Sequence, residues 1–496
     1  MKTKSDRFYI TTTLPYVNAK PHIGFAMEII RADIIARYHR ALGQEVFFNT
    51  GTDEHGQKIY QKALEMGETP QAYVDKLTEE FRRLIDPLGI SPDVNFVRTT
   101  DPHHIKGAQE FWRRCDQNGY IYKKNYQTKY CVGCELEKTD SELVDGKCPD
   151  HPNLKLELRD EENYFFKFSA FGDQLLAFYK AHPDFIFPAE RMNEMKALIG
   201  RGLEDFSISR LATKMPWGIA VPDDTDQVMY VWFDALTNYV SVLGWPCHDE
   251  ASSGVGPEDG ECGFNKWWTE TSGAVQYCGK DNLRQQSAMW QAMLMAAGLP
   301  NSKHIVIDGF VTSGGQKMSK SLGNVVDPFE VVEKYGTDAL RYLVAGELAM
   351  FEDSDFTWER FHNAYNAKLA NGLGNLVSRV MKMAESYLVE PVAVEDINLP
   401  EDFKKWLDVF DIGQATDVIW QKITELDLKI QQTQPFKLIK EDRPTAEKIV
   451  TELVRGVAEV AEMLSLIMPG TAEKIKALIK ENKMPEPLFL RKEALG

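Results

Sequence analysis

The sequence predicts an α/β protein: a Rossmann-type parallel sheet, split by a zinc-binding insertion and followed by an α-helical bundle. Three observations carry this. RFYITTT (7–13), the helical spacing that starts at His22 and EVFFNTG (45–51) form a strand–helix–strand unit with short joints, which implies parallel strands. Between residues 119 and 224 the rhythm breaks into turn residues, aromatics and clustered cysteines. Beyond about residue 325 the apolar residues recur at helical spacing.

RFYITTT alternates apolar and polar side chains, is rich in β-branched residues and stops before Pro15, so a strand is expected. Ile23, Met27, Ile30, Ile34, Tyr38 and Leu42 then fall on one helical stripe. Open-sheet strands are expected again at QVMYVWFDA (227–235), AVQYCGKD (274–281) and HIVIDGFV (304–311). CHDEASSGVGPEDGECG (247–263) is acidic and turn-rich, the composition of a surface loop. In 445–467, Ile449, Val450, Leu453, Val454, Val457, Val460, Leu464 and Ile467 trace an apolar face that Pro469 closes.

At 496 residues the chain is too long for one core, and two to four domains are expected. Apolar residues at 43% and charged residues at 26% are ordinary for a globular protein. The start MKTKSDRFYI carries no signal peptide, and no segment approaches ~18 uncharged apolar residues, so a soluble, cytoplasmic protein without a membrane partner is expected. A net charge of −17, from 57 basic and 74 acidic residues, excludes indiscriminate nucleic-acid binding but not a local track for one RNA.

Cys115, Cys247, Cys262 and Cys278 are scattered and suggest no disulfide ladder. Cys131, Cys134, Cys148 and His151 form two knuckles, C-x2-C and C-x2-H, separated by thirteen residues. Soft ligands at this spacing build a tetrahedral zinc site in a reducing compartment. With all four positions supplied by protein, the site is expected to hold one structural zinc.

PYVNAKPHIGFAMEII (15–30) runs a His-x-Gly corner into a helix. Unpaired N–H groups and the positive dipole end welcome an anion there, glycine lets it approach, and an imidazole can donate to it. His22 and Gly24 are therefore candidates for a phosphate site, although a mere capping histidine fits the same stretch. SGGQKMSKSLGN (313–324) places Lys317 and Lys320 three apart in a glycine-flanked segment expected to be flexible. Two ammonium groups closing over a triphosphate would neutralise charge on departing pyrophosphate; a solvated basic loop is the bland alternative.

Together these two motifs resemble those of class I aminoacyl-tRNA synthetases. TTTLPYVNAKPHIG, FNTGTDEHGQK (48–58), MYVWFDALTNYV (229–240), YCGKDN (277–282) and KMSKS are closest to the methionine-specific members. LGNLVSRV (373–380) carries the likeness into the helical region, so nearly the whole chain is covered. The resemblance implies a ligase that joins L-methionine to ATP, with Mg2+, as methionyl-adenylate and then charges tRNA(Met). His22, Lys317 and Lys320 would serve catalysis at the phosphates, with Gly24, Gly279 and Asp281 shaping the ATP site. Asp53 would hold the substrate ammonium, and Leu14, Tyr16, Trp232, Ala235, Tyr239 and Gln286 would line the amino-acid pocket. Asn375, Arg379 and Phe436 would read the anticodon. The implied division is 1–118 and 225–325 for the two catalytic halves, 119–224 for the insertion, 326–360 for a stem-contact connection and 361–496 for the anticodon-binding domain. No further C-terminal dimerisation domain is recognised before the end at Gly496, and a monomer is expected.

Two positions depart from the family pattern. Phe25 stands where a second histidine is usual, which removes one donor to phosphate. Gln286 replaces a histidine near the methionine sulfur, where its amide is expected to keep a weak hydrogen bond. A synthetase for another amino acid, such as cysteine, and a non-catalytic tRNA-binding relative are the competing readings.

Overall fold

The computed structural model describes residues 6–134, 136–138, 143–247, 262–318, 323–394 and 397–493. The chain forms two compact units: Met1–Lys20, Gly43–Arg83 and Asp93–Ile307 in the first; Pro21–Leu42, Leu84–Pro92 and Asp308–Gly496 in the second.

The first unit is built on a six-stranded parallel sheet. Its strands are β1 (Arg7–Thr12), β2 (Glu45–Thr52), β3 (Asn95–Arg98), β4 (Ile186–Phe187), β5 (Val275–Gly279) and β6 (His304–Asp308), in the order β3-β2-β1-β5-β6-β4. β1 lies beside β2 with Arg7 opposite Glu45 and beside β5 with Ile10 opposite Val275. The expected strands at 7–13 and 45–51 are thus present and parallel. β4 was not foreseen: it lies inside the segment expected as insertion, yet it is the outer strand of the sheet, paired to β6. A second, antiparallel sheet holds Ile121–Cys131, Leu136–Lys138, Glu157–Phe166 and Phe206–Ser207.

One expected strand is corrected. Of QVMYVWFDA only 227–229 are strand, the end of Asp224–Met229, which pairs antiparallel with Ser209–Leu211 and Ala220–Val221, outside the parallel sheet. Its continuation turns into the short helices α3 (Val231–Ala235) and α4 (Asn238–Ser241). The aromatic, β-branched run favours a strand locally, but Val231, Phe233, Asp234 and Ala235 are buried on a helix instead. Helix α2 (Pro102–Gln117) starts at Pro102 and buries His104, Phe111 and Trp112. Phe111 stacks on Trp290 at 5.4 Å, and Trp268 meets Trp290 edge-on, so aromatic rings form the centre of this core.

The second unit contains α1 (Ile23–Ala41) and the C-terminal helices. α1 buries side chains all round, including Arg31 and Asp33. The buried guanidinium of Arg341 pairs with Asp33 at 2.8 Å and donates to the carbonyls of Leu88, Gly89, Leu466 and Ile467. Arg31 donates to the carbonyls of Val344, Leu348, Ala349 and Met350. Buried charges survive here because each is paired or hydrogen-bonded.

HIVIDGFV also divides. After β6 the chain breaks at Gly309 and enters β7 (Val311–Ser313), which joins β8 (Gln316–Lys317) and β9 (Ser354–Phe356) in a separate sheet. Further on come α5 (Asn375–Tyr387), α6 (Ile412–Thr433) and α7 (Arg443–Ile467). The expected stripe on α7 is buried at Val450, Leu453, Val454, Val457, Val460, Leu464 and Ile467, with Ile449 half-buried. Pro469 follows α7 and is also the first residue of the next helix.

Loop residues 248–261 lie outside the described residues. Cys247 and Cys262 at its two ends, expected to be unpaired, are joined in a disulfide with Cα atoms 5.5 Å apart. A separation of fifteen positions in sequence hid a proximity that the fold creates. Among the described residues no helix is long and apolar enough to cross a membrane.

Candidate active site

His22 is the N-cap of α1, and its Nδ1 accepts the Gly24 N–H at 3.0 Å. The expected cap is present. An imidazole that accepts at Nδ1 carries its neutral-form proton at Nε2, where it can donate to an anion. A Cβ on Gly24 would meet His22 Cε1 at 2.8 Å, so only glycine leaves room for the ring in this pose. Phe25 is half-buried in the same turn.

The lysine segment is less irregular than expected. Gly314 and Gly315, at φ of +64° and +72°, make a two-residue turn between β7 and β8. The Asp355 carboxylate accepts from Thr312 Oγ1 at 2.8 Å and from the Gly315 N–H at 2.7 Å, pinning that turn. The backbone of Lys317 therefore sits on a return strand, opposite Thr312. Its side chain and the whole of Lys320 lie outside the described residues.

In the first unit, Leu14 follows β1 and Asp53 follows β2, at the carboxyl ends of strands, where ligands of parallel sheets bind. Tyr16 and Asp53 form a parallel bridge: Asp53 N–H donates to the Pro15 carbonyl and Val17 N–H to the Asp53 carbonyl, each at 3.0 Å. Leu14 and Asp53 are both 6% exposed. Trp232, Ala235 and Tyr239 follow helical spacing along α3 and α4. Gly279 ends β5, and Asp281 is exposed in the turn that follows.

Tyr239 is buried against Trp290, and its hydroxyl accepts from the Gln286 amide at 2.6 Å. Gln286 Oε1 in turn accepts from the Gln276 amide at 2.7 Å. The amide expected to face a substrate sulfur is thus engaged with Tyr239. Gln276, which sequence reading passed over, stands behind it. Gln286 lies in a π-helical stretch, Gln285–Met289, whose wider turn replaces ordinary helical geometry.

Other residues missed in the sequence flank Asp53. Glu54 is buried and held bidentately by Arg98 at 2.7 and 2.9 Å, with hydroxyls from Thr52, Thr78 and Thr100. His55 Nδ1 lies 2.6 Å from Asp234 Oδ2, and His104 Nε2 lies 2.8 Å from Asp234 Oδ1. Burial alone would raise the Asp234 carboxyl, but the two imidazoles hold it below its ordinary value. One signal was available: an aspartate inside an otherwise apolar run, MYVWFDAL, demands a buried partner.

Cys131, Cys134, Cys148 and His151 come together with their ligand atoms all within 4.8 Å of one another. Cys134 Sγ lies 3.3 Å from Cys148 Sγ and 3.1 Å from His151 Nδ1. Three thiols and an imidazole converging on one point fit a tetrahedral metal ion, a set this chain supplies in full.

In the second unit Asn375 is exposed at the start of α5, one turn before Arg379. Arg379 Nη1 donates to Asp427 Oδ1 on α6 at 2.8 Å. Phe436 is 44% exposed and so lies at the surface.

The parallel α/β fold is that of a class I aminoacyl-tRNA synthetase. The family model described as tRNA synthetases class I (M) matches residues 8–157 and 152–381. The methionine--tRNA ligase of Thermotoga maritima is 40% identical over 97% of this chain and 76% of its own length. That of a Nostoc species is 39% identical over 94% and 89%. The chain belongs to the methionine--tRNA ligase family. Among solved structures, Mycobacterium tuberculosis methionyl-tRNA synthetase in complex with methionyl-adenylate is similar, with a TM-score of 0.86 and 33% identity over 99% of both chains.

Proposed function

We propose that the chain activates L-methionine with ATP and Mg2+, releases pyrophosphate, and transfers the methionyl group to the 3′ end of tRNA(Met) for protein synthesis in the cytoplasm. The supporting observation is the full-length likeness to an enzyme whose solved structure holds methionyl-adenylate, the product of the first half-reaction. The methionine carboxylate attacks the α-phosphate, and the terminal ribose hydroxyl of the tRNA then takes the acyl group. Neither step needs a protein nucleophile; positioning and charge stabilisation suffice.

His22, Lys317 and Lys320 are assigned to the phosphates, and Gly24, Gly279 and Asp281 to the adenosine side. Asp53 takes the substrate ammonium as a charge-assisted pair. Leu14, Tyr16, Trp232, Ala235 and Tyr239 enclose the thioether, which gains from sulfur–aromatic contact, and Gln286 orients Tyr239. Residues 119–224 carry one structural zinc on Cys131, Cys134, Cys148 and His151; bound there, the ion supplies folding energy and no chemistry. Residues 326–360 connect to a tRNA-reading bundle, 361–496, in which Asn375 and Arg379 hydrogen-bond anticodon bases and Phe436 stacks on one. The test is ATP–pyrophosphate exchange with a panel of amino acids. Methionine alone should support exchange; exchange with another amino acid, or none in protein that binds tRNA, overturns the reading.

A further inference from the structure

His55, Asp234 and His104 make a buried arrangement in which two imidazoles share one carboxylate. Exposure is 5% for His55 and 0% for Asp234 and His104. A carboxylate only accepts, so His55 donates from Nδ1 to one oxygen and His104 from Nε2 to the other. His104 Nδ1 lies 2.9 Å from the Ser241 hydroxyl, which sets the opposite ring nitrogen as the donor.

The significance is in what these residues adjoin. His55 is two residues beyond Asp53, on a chain segment already fixed: the Glu54 carbonyl accepts from Trp217 Nε1 at 2.6 Å, and the Trp217 ring lies 5.4 Å from the His55 ring. Asp234 sits on α3 between Trp232 and Ala235. The 2.6 Å contact therefore ties the segment bearing the ammonium carboxylate to the helix bearing the aromatic wall. Asp234 is too deep to meet a substrate itself. Its charge, shared between two donors, resists displacement of either side, because breaking one link leaves a buried ion under-satisfied.

We propose that His55, Asp234 and His104 are positioning residues of the amino-acid pocket. Together they set the span from Asp53 to Trp232 and thereby the length of amino-acid side chain that is activated. The proposal rests on the assignment of Asp53 and Trp232 to that pocket. A pocket that measures length separates substrates differing by one methylene roughly 10- to 200-fold; loosening it should erode that ratio before it erodes ATP binding.

The experiment measures pyrophosphate exchange with methionine, ethionine and S-methylcysteine in the full chain, comparing His55→Gln, Asp234→Asn, their double variant and Ser241→Ala. His55→Gln should raise KM for methionine about tenfold or more and narrow the methionine-to-ethionine ratio of kcat/KM about tenfold, with KM for ATP within about twofold. The double variant should be no worse than the poorer single, because both break one link. Ser241→Ala should give a smaller shift in the same direction and covers the case in which Asp234→Asn does not fold. Unchanged KM and ratios in folded His55→Gln, or equal loss for ATP and methionine, would overturn the proposal. An Asp53→Asn control separates the two levels: if it leaves KM for methionine unchanged, the pocket assignment itself is wrong.

Discussion

Gln286 gives its side-chain amide to the Tyr239 hydroxyl across 2.6 Å and takes the amide of Gln276 on its own oxygen. The three side chains are fully or almost fully buried. Gln286→Leu removes the acceptor of the Gln276 amide and one hydrogen-bond partner of Tyr239. A buried donor that loses its acceptor costs ~1–3 kcal/mol, so a clear fall in urea-unfolding free energy and a rise in KM for methionine are expected. Stability and KM equal to the parent would show that the row carries no weight.

Gly24→Ala tests the helix start. The new Cβ would press on the His22 ring at 2.8 Å and drive it from the cap. Loss of one cap costs ~0.5–2 kcal/mol, whereas loss of one transition-state donor costs about 10²–10³ in rate. Single-turnover adenylate formation should fall by that larger factor while the melting point shifts little. A variant with parental turnover refutes the phosphate role of His22.

Asp308, at the end of β6, is buried 3.2 Å from Arg31. Burial pushes its carboxyl up to about 6, against the pull of Arg31. The folded chain then binds this proton more tightly than the unfolded chain, where an aspartate titrates near ~3.9. Stability through this group is greatest below about pH 4 and declines as the pH rises to about 6. Asp308→Asn should flatten that part of the stability curve, measured by urea unfolding across pH; an unaltered slope counts against the assignment.

Elemental analysis of protein purified without chelator should find one zinc per chain. Cys148→Ser should lose it and loosen the antiparallel sheet around Ile121–Cys131, read by limited proteolysis, while methionine activation partly survives. Zinc-free parental protein with the same protease resistance would end this idea.

Arg379 is held by Asp427, whose carboxyl burial raises although Arg379 pulls it down. Arg379→Ala should weaken charging of tRNA by ~1–3 kcal/mol, the worth of a bidentate base contact, and leave adenylate formation unchanged. Equal charging of anticodon-swapped tRNA by the parent refutes the assignment.

The strand–helix–strand unit, the α7 stripe and the metal knuckles were legible because each is written in local spacing. His22 was legible too, since a cap is a local event. What escaped depends on distant partners. Asp234 meets residues 179 and 130 positions away, and Cys247 meets Cys262 across a loop. Residues 231–235 read as strand because aromatic and β-branched residues favour one, and only the buried aspartate hinted otherwise. β4 has two residues, too few to show any periodicity.

The position of β1 bears on how the chain is made. Its two neighbours are β2, close behind it in sequence, and β5, paired through Ile10 and Val275. At ~5–20 residues per second on the ribosome, the second neighbour emerges some ~13–50 s after the first strand. Through that interval one side of an apolar strand has no native partner, the kind of open edge on which chains join wrongly. The β1 edge closes only once β5 has been made.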